Sequence, residues 1–154
     1  MLEVGTKVKD FELLDGNGNK HQLSNYLGKV VVVYFYPKNN TPGCNKQACA
    51  FRDNYHLYEE LDVVLLGVSG GDIESHAKFS EKFELPFPTL SDEDFKVSKY
   101  FGAYGEKSMF GKKYNGIIRS TFIIDEKGVL SNVIPKASPN DNALEVIELI
   151  KNRK

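Results

Sequence analysis

Residues 29–44 read KVVVVYFYPKNNTPGC, and this stretch decides the fold. The run 30–36 has no charged residue and consists of β-branched and aromatic side chains, which is typical of a strand covered on both faces. A proline ends this strand. Thr41 and Pro42 then mark a helix start, with Thr41 at the N-cap and Pro42 at the first helical position. Cys44 is therefore predicted in the first turn of a helix that follows a buried strand.

Outward from this stretch, strand and helix signals alternate along the chain. The predicted strands are 11–14, 21–23, 63–68, 120–124 and 129–133, and further helices are predicted over 73–83, 95–100 and 143–150. Alternating β and α segments predict a parallel core, and the last two strands form an antiparallel hairpin. We therefore expect one thioredoxin-like α/β domain over residues 1–154, with a central mixed β-sheet flanked by helices and an added N-terminal β-hairpin.

Three local features complete this expected architecture. Apolar residues at i, i+3, i+7 and i+10 from Ala48 to Tyr58 place one side of a helix against the core. The segment 102–116 is rich in glycine and lysine and is expected to be a loop. The histidines are expected to be ordinary surface or helix-face residues: His21, His56 and His76.

The composition is that of an ordinary globular protein. The 154 residues are 41% hydrophobic and 27% charged, with a net charge of −1. Nucleic-acid and acidic-lipid binding both require a basic face, so neither class of partner is indicated. No run approaches the roughly 18 apolar residues of a membrane span. The first residues lack the basic start and apolar run of a signal peptide, so we expect a cytoplasmic location without membrane partners.

Cys44 carries the chemistry that this pattern predicts. A thiolate in the first turn of a helix meets unpaired backbone N–H groups and the positive end of the helix dipole, which favour its charged form. A thiolate attacks the electrophilic oxygen of a peroxide. A nearby cation would stabilise charge on the leaving oxygen. Arg119, at the start of a predicted strand, is the first candidate for this cation, and Arg52 is the second.

The motif around Cys44 resembles a known family. Residues 37–44 have the form P-x-x-x-T-x-x-C, which is similar to the active-site signature of peroxiredoxins. The continuation NKQACAFRD and the later segment YGEKSMFGKKYNGIIRSTFIID resemble the bacterioferritin co-migratory protein, or peroxiredoxin Q, subfamily, and the similarity covers nearly the whole chain. Two positions depart from the subfamily pattern: Asn45 stands where threonine is common, and Gln47 stands where glutamate is common.

The resemblance implies a role for five residues. Cys44 would be the peroxidatic cysteine, which substrate oxidises to sulfenic acid. Cys49 would be the resolving cysteine, which forms an intramolecular disulfide with Cys44. Pro37 and Thr41 would line the peroxide pocket, where Thr41 would hydrogen-bond the substrate oxygen. Arg119 would activate both the thiolate and the peroxide.

The resemblance also implies an activity and its partners. The chain would be a thiol peroxidase that reduces hydrogen peroxide and organic hydroperoxides, with a role in antioxidant defence. Thioredoxin is the expected reductant, with glutaredoxin as the alternative. A monomer is expected, since resolution would occur within one chain. No cofactor or metal is implied, because sulfur itself carries the electrons.

The spacing of the two cysteines has a geometric consequence of its own. On an intact α-helix, residues five apart are separated by about 7.5 Å along the axis and about 140° around it. A disulfide needs Cα atoms within roughly 7 Å and converging Cβ vectors. We therefore expect a disulfide between Cys44 and Cys49 to require unwinding of the segment from about Thr41 to Phe51.

Other functions remain open from the residues alone. A zinc site would use Cys44 and Cys49, but their spacing fits loosely and no histidine pair follows. A dithiol oxidoreductase needs C-x-x-C, which is absent, and a glutathione-peroxidase-like enzyme would lack this signature. A redox sensor or chaperone would use the same oxidation of Cys44 with little turnover. The aromatic residues near the motif are either walls of a peroxide pocket or core: Tyr36, Phe87 and Phe122.

Overall fold

The computed structural model describes residues 1–153; Lys154, the last residue of the expected domain, lies outside them. The strands in the described residues are β1 (Glu12–Asp15), β2 (Lys20–Gln22), β3 (Val31–Phe35), β4 (Val64–Ser69), β5 (Thr89–Ser91), β6 (Tyr104–Met109), β7 (Lys112–Ile117), β8 (Ser120–Ile124) and β9 (Leu130–Ile134). The helices are α1 (Pro42–Asp53), α2 (Tyr55–Glu60), α3 (Ile73–Phe83), α4 (Lys96–Phe101) and α5 (Asn142–Lys151), with a short 3₁₀ helix at Leu23–Tyr26.

Seven strands form one mixed sheet in the order β2-β1-β5-β4-β3-β8-β9. Strands β3, β4 and β5 run parallel to one another, as the alternation of strands and helices predicts. The remaining neighbours are antiparallel, and the N-terminal hairpin β1–β2 extends the sheet beyond β5. The predicted thioredoxin-like α/β fold with an added N-terminal hairpin is therefore confirmed.

Strand β3 lies at the centre of the core, and its side chains alternate between the two faces of the sheet. Tyr34 packs with residues of α1, α3 and α5 on one face, together with Cys44. Val33 and Phe35 pack with α4 and the N-terminal segment on the other face. No helix within residues 1–153 has the length and apolar composition needed to cross a bilayer. Both faces of the sheet are thus covered at this strand, and all five of its residues are buried.

The segment 102–116 is not a loop, so that prediction is wrong. It contains β6 and β7, which pair antiparallel as a separate two-stranded sheet. The turn between them places Phe110 and Gly111 at φ angles of 52° and 78°, the positive values that tight hairpin turns use. Most of this hairpin is exposed. Backbone pairing rather than apolar alternation therefore forms the hairpin, and for this reason its composition gives a loop signal.

The helix that carries Cys44 is shorter than the apolar spacing predicts. Asn54 separates α1 from α2 with a backbone conformation outside the helical range, and its Nδ2 donates to the carbonyl of Ala50 at 2.8 Å. The apolar side survives the break, because Phe51 and Tyr58 are both fully buried. One periodic pattern thus spans two helices, since both pack on the same face of the sheet.

His76 lies on α3, as the expectation of a surface or helix-face residue allows, but it is fully buried. Its Nε2 lies 3.3 Å from the carbonyl oxygen of Ser69 and therefore carries the ring proton. The unprotonated Nδ1 accepts from the hydroxyl of Thr89 at 3.0 Å. Burial lowers the pKa of His76, an effect that hydrogen bonding to Ser69 and the charge of Asp72 partly offset.

We expect acid to destabilise the fold through His76. Because the folded pKa lies below that of the unfolded chain, about 6.5, the unfolded state binds more protons as pH falls. The contribution is complete above about pH 7 and is lost progressively below about pH 6.5. Urea unfolding between pH 8 and pH 5 would measure this loss. A His76→Gln variant, which cannot titrate, should show a flatter pH dependence; an equal slope in both proteins would contradict the role of His76.

Candidate active site

Cys44 lies where the sequence predicts, in the first turn of α1. Thr41 occupies the N-cap with an extended backbone, and Pro42 is the first helical residue. The first helical bond runs from the amide of Asn45 to the carbonyl of Thr41 at 2.8 Å. The Cys44 side chain is only 1% exposed. The thiol is therefore buried beside the unpaired amides of a helix start.

Thr41 differs from the usual N-cap residue in how it uses its hydroxyl. The side chain makes no capping hydrogen bond to the helix. Its Oγ1 instead donates to the carbonyl of Lys38 at 3.2 Å, within the loop between β3 and α1. The oxygen therefore keeps lone pairs that can accept a hydrogen bond. Pro37 is half-buried in the same loop, directly after the core strand.

Arg119 is brought to Cys44 by the pairing of two strands. Strand β8 runs antiparallel to β3, with Ser120 opposite Phe35, so Arg119 lies at the end of β3 that leads into α1. Its Nη2 donates to the Cys44 Sγ at 3.4 Å. A Cβ at Gly43 would lie 3.0 Å from this Nη2, so a side chain there would require the guanidinium to shift by a few tenths of an ångström. The structure thus joins the first predicted cation to the predicted nucleophile.

A buried polar chain holds Arg119 in place, and the sequence did not assign this chain a role. Arg119 Nη1 donates to Gln47 Oε1 at 2.7 Å, and Gln47 Nε2 donates to Asn142 Oδ1 at 2.9 Å. The same Asn142 oxygen accepts from the Thr121 hydroxyl at 2.9 Å. Gln47 follows Cys44 by three residues, so helical spacing placed it on the Cys44 side of α1. Its partner in α5 has no comparable sequence signal.

Arg52 does not reach Cys44. Its Nη1 donates to the carbonyl of Phe83 at 2.8 Å, and its Nε contacts Asp53 at 3.0 Å. These contacts tie the end of α1 to the end of α3. The second predicted cation therefore serves helix packing.

Cys49 lies on the same continuous helix as Cys44. Both are free thiols; Cys44 is buried and Cys49 is half-buried. The helix keeps the two side chains on different sides of its axis, and Cα atoms of residues five apart are separated by about 7.5 Å along it. In this conformation the two sulfurs are not placed for a disulfide.

The electrostatic surroundings of the site include one further cation. Lys107, on β6, donates from its Nζ to the carbonyl of Ile117 at 2.8 Å. Burial lowers the pKa of Lys107 and Arg119 lowers it further, whereas Cys44 acts in the opposite direction. Lys107 therefore lies within electrostatic range of both Arg119 and Cys44.

The aromatic residues near the motif divide between the two faces of the sheet. Tyr36 and Phe87 belong to the same buried cluster as Cys44. Phe122 belongs to the opposite cluster with Phe35, so it is a core residue. Within residues 1–153, no three His, Cys, Asp or Glu side chains come together in a group that could hold a metal ion.

The chain is similar in sequence to a known protein family. The sequence profile of the AhpC/TSA family matches residues 4–133. The chain belongs to this family. Peroxiredoxin Bcp of Bacillus subtilis is 44% identical over 150 residues, which cover 97% of this chain and 96% of that protein.

Solved structures of AhpC/TSA proteins agree with the sequence relationship. A mutant of PrxQ from Xylella fastidiosa matches with a TM-score of 0.94 and 29% identity, covering 99% of this chain and 98% of that one. The bacterioferritin comigratory protein of Xanthomonas campestris matches with a TM-score of 0.88 and 31% identity, covering 93% and 91%. The resemblance to the bacterioferritin co-migratory protein and peroxiredoxin Q subfamily is confirmed. The chain is thus a peroxidase of the peroxiredoxin type.

We expect Gln47 to tolerate glutamate better than leucine. Leucine removes the acceptor of Arg119 Nη1 and the donor to Asn142, which should cost about 1–3 kcal/mol of unfolding free energy. A carboxylate keeps the acceptor for Arg119. The Asn142 Nδ2, which is buried without a hydrogen-bond partner in the described residues, can face that carboxylate after rotation of the amide. Urea unfolding of Gln47→Leu and Gln47→Glu measures the difference; equal losses would exclude this role of the buried chain.

Proposed function

We propose that Cys44 is the peroxidatic cysteine of a thiol-specific peroxidase. The observation that carries the proposal is the 3.4 Å contact from Arg119 Nη2 to the buried Cys44 sulfur at the start of α1. A guanidinium and free helix amides around one sulfur favour a thiolate. They also supply fixed positive charge where the leaving oxygen of a peroxide becomes negative.

The first chemical step follows from this geometry. The Cys44 thiolate attacks the terminal oxygen of ROOH, so that an S–O bond forms and the O–O bond breaks. Sulfur is oxidised by two electrons to sulfenic acid, and the RO⁻ that leaves takes up a proton as ROH. Because the Thr41 hydroxyl gives its hydrogen to Lys38, its oxygen accepts the O–H of the bound peroxide. Pro37 borders the same pocket and adds no competing donor.

The second step uses Cys49 as the resolving cysteine. Its thiol attacks the sulfenic sulfur of Cys44, so that a disulfide forms and water leaves. Since α1 holds the two residues about 140° apart, this step requires unwinding of the helix. While α1 stays folded, the sulfenic acid is exposed to further oxidation to sulfinic acid.

A dithiol donor then returns both cysteines to thiols. We propose thioredoxin as this donor, with glutaredoxin as the alternative, and hydrogen peroxide and organic hydroperoxides as substrates. The alkyl peroxide reduction activity of the Xanthomonas campestris relative supports this substrate class.

Resolution within one chain needs no second copy, which supports a monomer. We further propose that residues 1–154 form one domain that works in the cytoplasm in antioxidant defence, without a cofactor or metal.

The proposed function predicts a defined product. One equivalent of hydrogen peroxide should consume both thiols of the reduced protein and give a Cys44–Cys49 disulfide, located by mass spectrometry. Cys49→Ser should stop at a sulfenic acid or mixed disulfide, and Cys44→Ser should not react.

Coupled assays with thioredoxin or glutaredoxin then identify the donor. Normal turnover of Cys49→Ser with thioredoxin would remove Cys49 from the mechanism, and oxidation without turnover by either donor would favour a redox sensor.

Disulfide formation should melt the first turns of α1. We expect faster amide exchange over about Thr41 to Phe51 in the oxidised protein, together with a loss of helical signal in circular dichroism. The matched control is Cys49→Ser treated with the same peroxide, which cannot form the disulfide and should keep its protection. Equal protection in reduced and disulfide forms would contradict the unwinding step.

A further inference from the structure

The loop between β3 and α1 is anchored to α3 by Asn39. The Tyr36 hydroxyl donates to Asn39 Oδ1 at 2.6 Å, and Asn39 Nδ2 donates to the Ser75 Oγ at 2.9 Å. Asn39 is only 8% exposed, although it lies in a polar loop. One amide thus joins the end of the central strand to the first turn of a helix that carries none of the reacting groups.

The room for this amide depends on Gly71. A Cβ at Gly71 would lie 2.7 Å from Asn39 Nδ2 and 3.0 Å from the Ser75 Oγ. Contacts below 3.0 Å require one of the partners to move. The absence of a side chain at Gly71 therefore leaves space for the Asn39 amide beside the loop after β4.

The next residue provides a contrast within the same loop. Asn40 is exposed and has a φ of 59°. Its Oδ1 accepts from Lys82 Nζ at 3.0 Å and from Asn45 Nδ2 at 3.3 Å, both at the surface. Exposed contacts of this kind stabilise little, whereas a buried amide with both ends satisfied fixes its segment.

The two halves of the active site therefore have separate supports. On the Cys44 side, Arg119 is held by Gln47 and by α5 beyond it. On the Thr41 side, the loop that ends at Thr41 is held by Asn39 through β3 and α3. Within residues 1–153, the side-chain hydrogen bonds of Asn39 go to Tyr36 and Ser75 and not to α1, so this anchor is made outside the helix that holds the thiol.

We propose that Asn39 is a positioning residue that fixes Thr41 for peroxide without setting the reactivity of Cys44. This role rests on the proposed function, because it requires Thr41 to accept a hydrogen bond from the peroxide. Alignment of a bound reactant depends on small displacements, so a loosened loop slows the peroxide reaction. Alkylation by iodoacetamide transfers no oxygen, so it needs no hydrogen bond between a peroxide and Thr41; followed at Cys44 by mass spectrometry, because Cys49 is also a free thiol, it reports on the reactivity of the Cys44 thiol.

The test measures both reactions of the reduced protein. We expect Asn39→Ala to lower the rate constant for hydrogen peroxide about tenfold, less than the roughly 100-fold that a 1 Å misplacement can cost, while the pH dependence of Cys44 alkylation stays unchanged. Ser75→Ala, at a half-buried residue, removes one of the two anchoring bonds and should give a smaller fall. The double variant should lose less than the product of the two single effects, because the variants share one interaction.

Lys82→Ala is the matched control, since it removes an exposed hydrogen bond to the same loop without altering the backbone of that loop, and both of its rates should equal those of the unaltered chain. A peroxide rate unchanged in both Asn39→Ala and Ser75→Ala would overturn the proposal, as would a parallel fall of both reactions. If Asn39→Ala does not fold, Ser75→Ala alone decides by the same two rates. A failure of the unaltered protein to react with peroxide, despite rapid alkylation, would instead overturn the proposed function.

Discussion

The contact between the Arg119 guanidinium and the Cys44 sulfur is the interaction on which the rest of the site depends. The proposed mechanism requires Cys44 to ionise; a buried thiolate without a cation would be costly, and a half-buried guanidinium also needs hydrogen-bond acceptors. The fold satisfies both groups together. Antiparallel pairing of β8 with β3 delivers the arginine, and a glycine beside the cysteine leaves room for it.

Helix α1 has two opposing tasks under the proposed mechanism. Folded, it buries Cys44 and presents Gln47 to Arg119, which assembles the peroxide-reactive site. Unwound, it lets Cys49 reach the oxidised sulfur, and it also withdraws the glutamine from the arginine. The conformations for oxidation and for resolution therefore exclude each other. The hydrogen bonds of Asn39 to Tyr36 and Ser75 lie outside this helix, so they are not among the contacts that unwinding breaks.

The sequence predicted the fold and the chemistry from local signals. The uninterrupted apolar strand, the proline that ends it and the N-cap position of Thr41 are short-range features, and each reports directly on backbone conformation. The motif that begins at Pro37 indicates the family. The position of Arg119 at the start of a predicted strand makes it a candidate for the cation of the site. Local signals do not predict the hairpin β6–β7 or the burial of His76. The hairpin is formed by backbone pairing between its strands. His76 can be buried because Thr89 and Ser69 provide polar partners for its ring nitrogens.

By itself, the sequence determined that a cysteine would lie at the start of a helix behind a buried strand, because periodicity and capping are local properties of the chain. Only the tertiary structure decided which arginine meets that cysteine, since strand pairing brings Arg119 to Cys44 whereas Arg52 contacts the carbonyl of Phe83 at the other end of α1. It also decided the supports, Gln47 with Asn142 and Asn39 with Ser75. These pairs join residues 95 and 36 positions apart, and no local pattern encodes a contact over such distances.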